Sequence, residues 1–428
     1  MTSETLRLAQ KLIRMDTTTV IDGNKAGLLV VENCLYELTS HAERSGATWS
    51  MLRFQGGHEK WPYPVSNVVV TWKKGNPKQH LCYMGHVDVV PVGEKSQWNS
   101  DPFGAEVKDG FLYGRGATDM KGSVAAFFAA MTEVMATQDN VHVSAVITGD
   151  EEWAAVNGTA KVLAELKDKR IPIDAFLVGE PSSPDTLGTH IKSGRRGSLV
   201  GRLISEGTQG HAAYAGTFKN PNAVLLLAAE ILNGHDFSVE GESPSTNFEI
   251  VALNSGSFDA SAVIPAKAEA LWNIRFTQNW SPSTLAEKLR DLLNYPPEAY
   301  KDHPLIEDVK KVKLVANLHS ASLPYETPNE RDLYRVATFA LERLQNKEPT
   351  IDMDGGTTDG RFVQRFYPEA EVLEFGPPER GGLNDDGSEP EGYMQEGGMH
   401  QVNERISVKD LEDLAKAYTK IVSLYHNL

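Results

Sequence analysis

MGHVDVVP, residues 84–91, continues the apolar run Leu81–Met84, and GRGATDMKG, residues 114–122, leads into the apolar run Val124–Met135. The first run reads as a buried strand. His86 and Asp88 stand two residues apart, and in an extended chain such residues point the same way. An imidazole with a carboxylate behind it, fixing its tautomer, is a metal-binding arrangement. Asp119 lies between a glycine-broken turn, Tyr113–Gly116, and a run long enough for a helix, a place where unusual backbone can be held. Taken alone, the two pieces also read as a surface histidine and a helix-capping aspartate.

Further strand-like runs occur at Asn67–Trp72, Val141–Thr148, Asp174–Val178 and Glu371–Phe375. Helical spacing of apolar residues marks 3–15, Leu28–Leu38, Asn157–Leu166, Glu330–Leu344 and the end of the chain from Ser407. Alternating strands and helices predict an α/β domain whose central sheet is mostly parallel and flanked by helices. In such sheets sites form beyond the carboxyl ends of strands. His86, Glu151, Glu152 and Glu180 all occupy such ends.

The texture changes after Arg196. Longer strands at Ser198–Ser205, Asn247–Leu253 and Ala266–Thr277 interleave with helical runs at Pro221–Asn233 and Pro282–Leu293. This pattern predicts an inserted α+β domain of ferredoxin-like type. Pro377–Met399, rich in Gly, Glu and Asp, reads as a long flexible surface loop.

The 428 residues carry 42 Lys and Arg against 58 Asp and Glu, a net charge of −16. That balance argues against nucleic acid and anionic membranes as partners. Cys34 and Cys82 are too few for a disulfide framework. The amphipathic start, MTSETLRLAQKLIRMD, lacks the apolar core of a signal peptide. A cytoplasmic protein is the expectation.

Collected, the candidate ligands are His86, Asp119, Glu152, Glu180 and His400, with Glu151 beside them. Two imidazoles and three carboxylates suit zinc, cobalt or manganese better than calcium. Five ligands exceed what one catalytic zinc with an open position needs. Shared between two ions with one carboxylate bridging, they leave room for an activated water. Neighbouring side chains diverge, so Glu151 or Glu152 is left free as a general base.

The strings MGHVDVVP, YGRGATDMKGS, TGDEE, VGEP, GRRGS, QGHAAY, GGTTDGRF and HQVNE, in this order, resemble the co-catalytic zinc family of aminoacylases, acetylornithine deacetylases and di-zinc carboxypeptidases. Within it they are most similar to the desuccinylase branch that acts on N-succinyl-L,L-diaminopimelate. The resemblance spans nearly the whole chain. It implies that His86 and Glu180 hold one zinc, Glu152 and His400 the other, and Asp119 bridges, with a cis Asp119–Met120 peptide. It implies that Asp88 orients His86 and that Glu151 moves the proton. It also implies a discontinuous catalytic domain, 1–196 and 315–428, and a lid and dimerisation domain at 197–314. From that lid His211 would reach the partner subunit's site and stabilise the oxyanion of the tetrahedral intermediate. Lys192, Arg195, Arg196, Ser198, Tyr214, Arg275 and Thr357 match positions that hold substrate carboxylates, as an arginine fork is suited to do.

The chain departs from that branch at two positions. Ala262 and Glu396 stand where the desuccinylases carry Asn, and Phe54–Val65 is lengthened. The expected activity is therefore hydrolysis of an N-acyl amino acid, with N-succinyl-diaminopimelate foremost. Deacylation of an acetylornithine-like substrate or C-terminal peptide trimming is the second reading. A non-catalytic binding paralogue would be expected to lose ligands or base, and this chain keeps all six residues.

Overall fold

A computed structural model describes residues 3–19, 26–56, 64–153, 155–241, 244–384, 386–390 and 396–428. The chain divides into two compact units. One comprises Met1–Gly194, Glu326–Asp352 and Thr358–Leu428, the other Arg195–Tyr325 and Met353–Thr357.

The first unit is built on an eight-stranded sheet. Its strands run in the order Thr48–Phe54, Val65–Lys74, Val141–Thr148, Leu81–His86, Ala175–Val178, Glu371–Glu374, His190–Lys192 and Thr350–Asp352. Leu81–His86 lies parallel to Val141–Thr148 on one side and to Ala175–Val178 on the other, with His86 opposite Thr148 and Met84 opposite Val178. Three parallel strands thus end at one edge, and the residues that follow each strand converge there.

The sheet is mixed, which corrects the expectation of a mostly parallel one. Thr48–Phe54 pairs antiparallel with Val65–Lys74, which is itself antiparallel to Val141–Thr148, and Glu371–Glu374 meets His190–Lys192 antiparallel at a single position. The physical reason is the connection. A parallel neighbour needs a crossover of a dozen or more residues, usually a helix, and the links from Phe54 to Val65 and from Lys74 to Leu81 are too short for one, so Val65–Lys74 runs against both its neighbours. Thr48–Phe54 itself escaped the sequence reading because it is an edge strand with no fully buried residue. The lengthened part of Phe54–Val65 falls largely on 57–63, outside the described residues.

Helices cover the sheet. Glu4–Ile13 is capped by Ser3, whose hydroxyl accepts the Leu6 N–H at 3.1 Å. Lys121–Thr137 is apolar nearly all round because the sheet lies on one side and Glu4–Ile13 and Val408–Tyr425 pack against the others. A buried hydroxyl chain runs through this contact. Tyr83 Oη lies 2.9 Å from Ser123 Oγ, Ser123 Oγ lies 2.8 Å from Tyr418 Oη, and Tyr418 donates to the Phe375 carbonyl at 2.8 Å.

The expected surface loop is packed over its first part. Pro377, Pro378, Gly381 and Gly382 are buried, and Glu379 N–H donates to the Ser183 carbonyl at 2.7 Å. Backbone pairing holds it down despite its polar composition. Residues 385 and 391–395 of this stretch lie outside the described residues.

The second unit has a four-stranded antiparallel sheet ordered Asn247–Ser255, Lys267–Phe276, Gly197–Glu206, Lys313–Ala316, with helices Pro221–Asn233 and Pro282–Asn294. In chain order this is strand–helix–strand–strand–helix–strand, the ferredoxin-like pattern. Leu199, Leu203, Leu225, Trp272, Ile274 and Leu289 form its own buried core. Among the described residues no helix is long and apolar enough to cross a membrane.

Candidate metal centre

All five candidate ligands belong to the first unit. Their donor atoms form two triads, His86–Asp119–Glu180 and Asp119–Glu152–His400, with the atoms of each triad within 4.8 Å of one another. Asp119 is common to both. His86 Nε2 lies 3.1 Å from Asp119 Oδ1 and 3.7 Å from Glu180 Oε1. His400 Nε2 lies 3.1 Å from Asp119 Oδ2 and 3.3 Å from Glu152 Oε2. The two oxygens of one carboxylate therefore serve opposite sides of the site.

The edge of the sheet explains the placement. His86 is the last residue of its strand, Glu151 and Glu152 follow Val141–Thr148, and Glu180 follows Ala175–Val178. Asp119 precedes helix Lys121–Thr137 in a turn where Gly116 has φ +87°; a Cβ there would lie 2.9 Å from Val89 Cγ1. The Asp119–Met120 peptide is cis. His400 has a left-handed backbone, φ +63°, unusual outside glycine. Its side chain is half exposed, whereas His86, Asp119, Glu152 and Glu180 are nearly covered.

Asp88 is placed otherwise than an orienting carboxylate. The ring Nδ1 of His86 lies 2.9 Å from the backbone carbonyl of Asp88 and 3.7 Å from its Oδ1. The carboxylate instead accepts the backbone N–H groups of Glu151 at 3.1 Å and Glu152 at 3.0 Å, and the Thr19 hydroxyl at 3.1 Å. It fixes the strand exit that carries Glu151 and Glu152.

Electrostatics agree with a place for cations. Burial, then the charge of Asp119, pushes the carboxyls of Glu152 and Glu180 above their ordinary range. Burial, then the charge of Asp359, does the same for Glu151. Hydrogen bonds to Asp119 and Glu152 push His400 up to about 10. Burial opposes a charge on His86, but Asp119 and Glu180 overcome it and raise its pKa well above the usual value. Glu152 Oε1 is buried without a hydrogen-bond partner among the described residues. Clustered, repelling carboxylates and an orphaned ligand oxygen fit divalent ions.

Two residues that sequence reasoning missed bear on this site. Glu404, fully buried, accepts the backbone N–H of Gly116, Thr118 and Asp119, and its other oxygen faces Arg115. Glu404 lies within the HQVNE string, so its neighbourhood was visible but its backbone partners were not. Asp359, of GGTTDGRF, is buried and raises Glu151 through its charge.

The remaining candidates fall outside the two triads. Lys192, in the first unit, is buried and paired with Asp352 at 2.7 Å. The others belong to the second unit. Arg195 donates to the Asp354 carbonyl at 2.5 Å, and Arg196 donates to the Ser245 carbonyl and Asn247 Oδ1, both at 2.8 Å. Ser198 Oγ accepts from Asn273 at 2.9 Å and stands opposite Arg275 across the strand pair. Thr357 is half-buried and Tyr214 exposed. His211 is exposed on the two-residue strand Gly210–His211, opposite Val263. Ala262 lies beside it, its carbonyl accepting the Ala212 N–H at 2.8 Å. Glu396 Oε2 accepts from Asn403 Nδ2 at 2.5 Å.

The model of peptidase family M20/M25/M40 matches residues 82–424. Succinyl-diaminopimelate desuccinylase of Beijerinckia indica subsp. indica is 37% identical over 429 residues, covering 99% of this chain and all of that one. Among solved structures, an M20 family metallo-carboxypeptidase from Sulfolobus solfataricus superposes with a TM-score of 0.72 at 18% identity, covering both chains fully. Human carnosine dipeptidase 1 does so with the same TM-score at 17% identity, covering 99% of this chain and 96% of that one. At such identities the structures speak for the fold.

Proposed function

The chain belongs to peptidase family M20/M25/M40, and from that premise we propose that it is a two-metal amidohydrolase acting on N-succinyl-L,L-diaminopimelate. The products are succinate and L,L-diaminopimelate. The observation that carries the chemistry is the pair of ligand triads sharing Asp119. Full-length similarity to a desuccinylase supports the substrate.

In this reading His86 and Glu180 hold one ion, Glu152 and His400 the other, and Asp119 serves both. The ions, zinc foremost, would supply Lewis acidity toward the amide oxygen and acidify a water. Glu151 accepts the proton of the attacking water and returns it to the departing amine, so one water is consumed and no proton is left over. Asp88 holds Glu151 in place through the backbone. Arg195, Arg196 and Arg275, with Ser198, Tyr214 and Thr357, provide a basic, hydrogen-bonding surface for substrate carboxylates in an otherwise acidic protein.

The second unit serves as lid and dimerisation domain, and His211 contributes the oxyanion contact across the dimer. Its edge strand Asn247–Ser255 supports this reading: Val251 and Leu253 are 59% and 57% exposed, the kind of open apolar edge that proteins normally cover. Deacylation of another N-acyl amino acid stays as the second reading because of Ala262 and Glu396. The test is steady-state hydrolysis of N-succinyl-L,L-diaminopimelate by zinc-loaded protein, beside N-acetylornithine. A kcat/KM above about 10⁴ M⁻¹s⁻¹ on the succinylated substrate supports the proposal. Negligible turnover there, with turnover of the acetylated one, overturns it.

A further inference from the structure

The buried pair of Arg115 and Glu404 does more than fill space between two turns. We propose that it is a positioning device for the bridging ligand, setting the carboxylate of Asp119 so that both of its oxygens can be used at once. The inference rests on the two-metal reading of the site.

Asp119 has an unusual task, since Oδ1 must face His86 and Oδ2 must face His400, each at 3.1 Å. Among the described residues these two histidines are the donors facing its carboxylate, so what aims it beyond them is its backbone. One atom gathers three N–H groups of that backbone. Glu404 Oε1 accepts the N–H groups of Gly116 at 3.1 Å, Thr118 at 3.0 Å and Asp119 at 3.1 Å. Glu404 Oε2 lies 2.5 Å from Arg115 Nη1. With three backbone donors on Oε1, the Arg115 guanidinium against Oε2 and no exposure, Glu404 is committed to these partners. Its role is therefore positional.

The pair also spans the other side of the site. Glu404 is four residues beyond His400, and its own carbonyl accepts the Gly114 N–H at 2.8 Å. Arg115 Nη2 donates to the carbonyl of His400 at 3.4 Å and to that of Pro91 at 3.2 Å. Thr118 Oγ1 donates to the Arg405 carbonyl at 2.7 Å. One ion pair thus joins the turn carrying Asp119, the turn carrying His400 and the segment leaving His86. A guanidinium can do this because its fork offers several donors in one plane.

Glu404→Gln keeps the shape but turns one acceptor into a donor facing Arg115. Arg115→Lys keeps the charge and loses the fork. Calorimetric titration of metal-free protein with Zn²⁺, in a competing chelator, reads the consequence. Both variants are expected to bind at least one of the two ions 10–100-fold more weakly, with unchanged far-UV circular dichroism. Leu414→Ala, on the buried face of helix Val408–Tyr425, serves as control: it lowers the melting temperature and leaves ion affinity alone. Unchanged affinity in the variants overturns the proposal, as does equal weakening in Leu414→Ala. If Glu404→Gln fails to fold, Arg115→Lys decides. A wild-type protein that binds no ions defeats the reading of the site itself, a result distinct from either.

Discussion

Asp88 uses its two kinds of oxygen for different purposes: its carbonyl meets the ring of His86, and its carboxylate gathers the backbone of Glu151 and Glu152. Asp88→Ala should therefore loosen base and ligand together. Its kcat/KM is expected to fall about 10–100-fold, the usual cost of losing an outer partner of a metal site; an unchanged value in steady-state kinetics would remove this role. His211→Ala should lower kcat more than it raises KM, because an oxyanion contact acts in the transition state. A change confined to KM would make His211 a binding residue. The five candidate ligands, which the structure gathers into two triads, were legible from residue type and place. The partner of the Asp88 carboxylate was not, because spacing two apart tells which way a side chain points and nothing about which backbone group it meets. Glu404 was hidden for the same reason: three of its four partners are backbone N–H groups.

Among the elements, the strands flanking Leu81–His86 were legible because each is a short run, largely apolar, followed two residues later by an acidic one. Thr48–Phe54 was not, since an edge strand half open to solvent carries no such run. Strand direction was beyond periodicity altogether; for Val65–Lys74 it follows from the short links on both its sides, to Phe54 and to Leu81. The hydroxyl chain Tyr83–Ser123–Tyr418 likewise joins strand, helix and helix in a way no local pattern announces. Tyr418→Phe removes its donation to the Phe375 carbonyl and its contact with Ser123. The expected loss is about 1–3 kcal/mol, since a buried carbonyl is left unpaired. A urea midpoint unchanged from wild type would contradict this.

On the scale of the whole molecule, the sheet edge opposite the metal centre carries a second histidine group. The rings of His80 and His142 stack at 3.7 Å, and His80 Nδ1 and Nε2 are both engaged, by the Pro172 carbonyl and Ser144 Oγ. Burial pushes His80 down to about 4, and burial with the charge of His80 does the same for His142. Both are neutral in the folded chain where the unfolded chain would protonate them, near 6.5. Their contribution to stability is thus complete above pH 6.5 and lost as pH falls toward 4. His142→Asn should flatten that acid limb, read as urea midpoints at pH 7 and pH 4.5; an equally steep limb would exclude the pair as its cause. The chain passes from the first unit to the second between Gly194 and Arg195, beside the change of texture near Arg196, whereas its return at Glu326 lies beyond the expected boundary at 314/315.

In the proposed mechanism two ions and Glu151 form one catalytic unit. The most direct test measures bound zinc and kcat on the same preparations of wild-type protein and Glu151→Gln. Two ions per chain in both, with kcat lowered at least about 100-fold in the variant, is the predicted result. Near-normal kcat in Glu151→Gln, or full wild-type activity after the ions are stripped, would contradict the account.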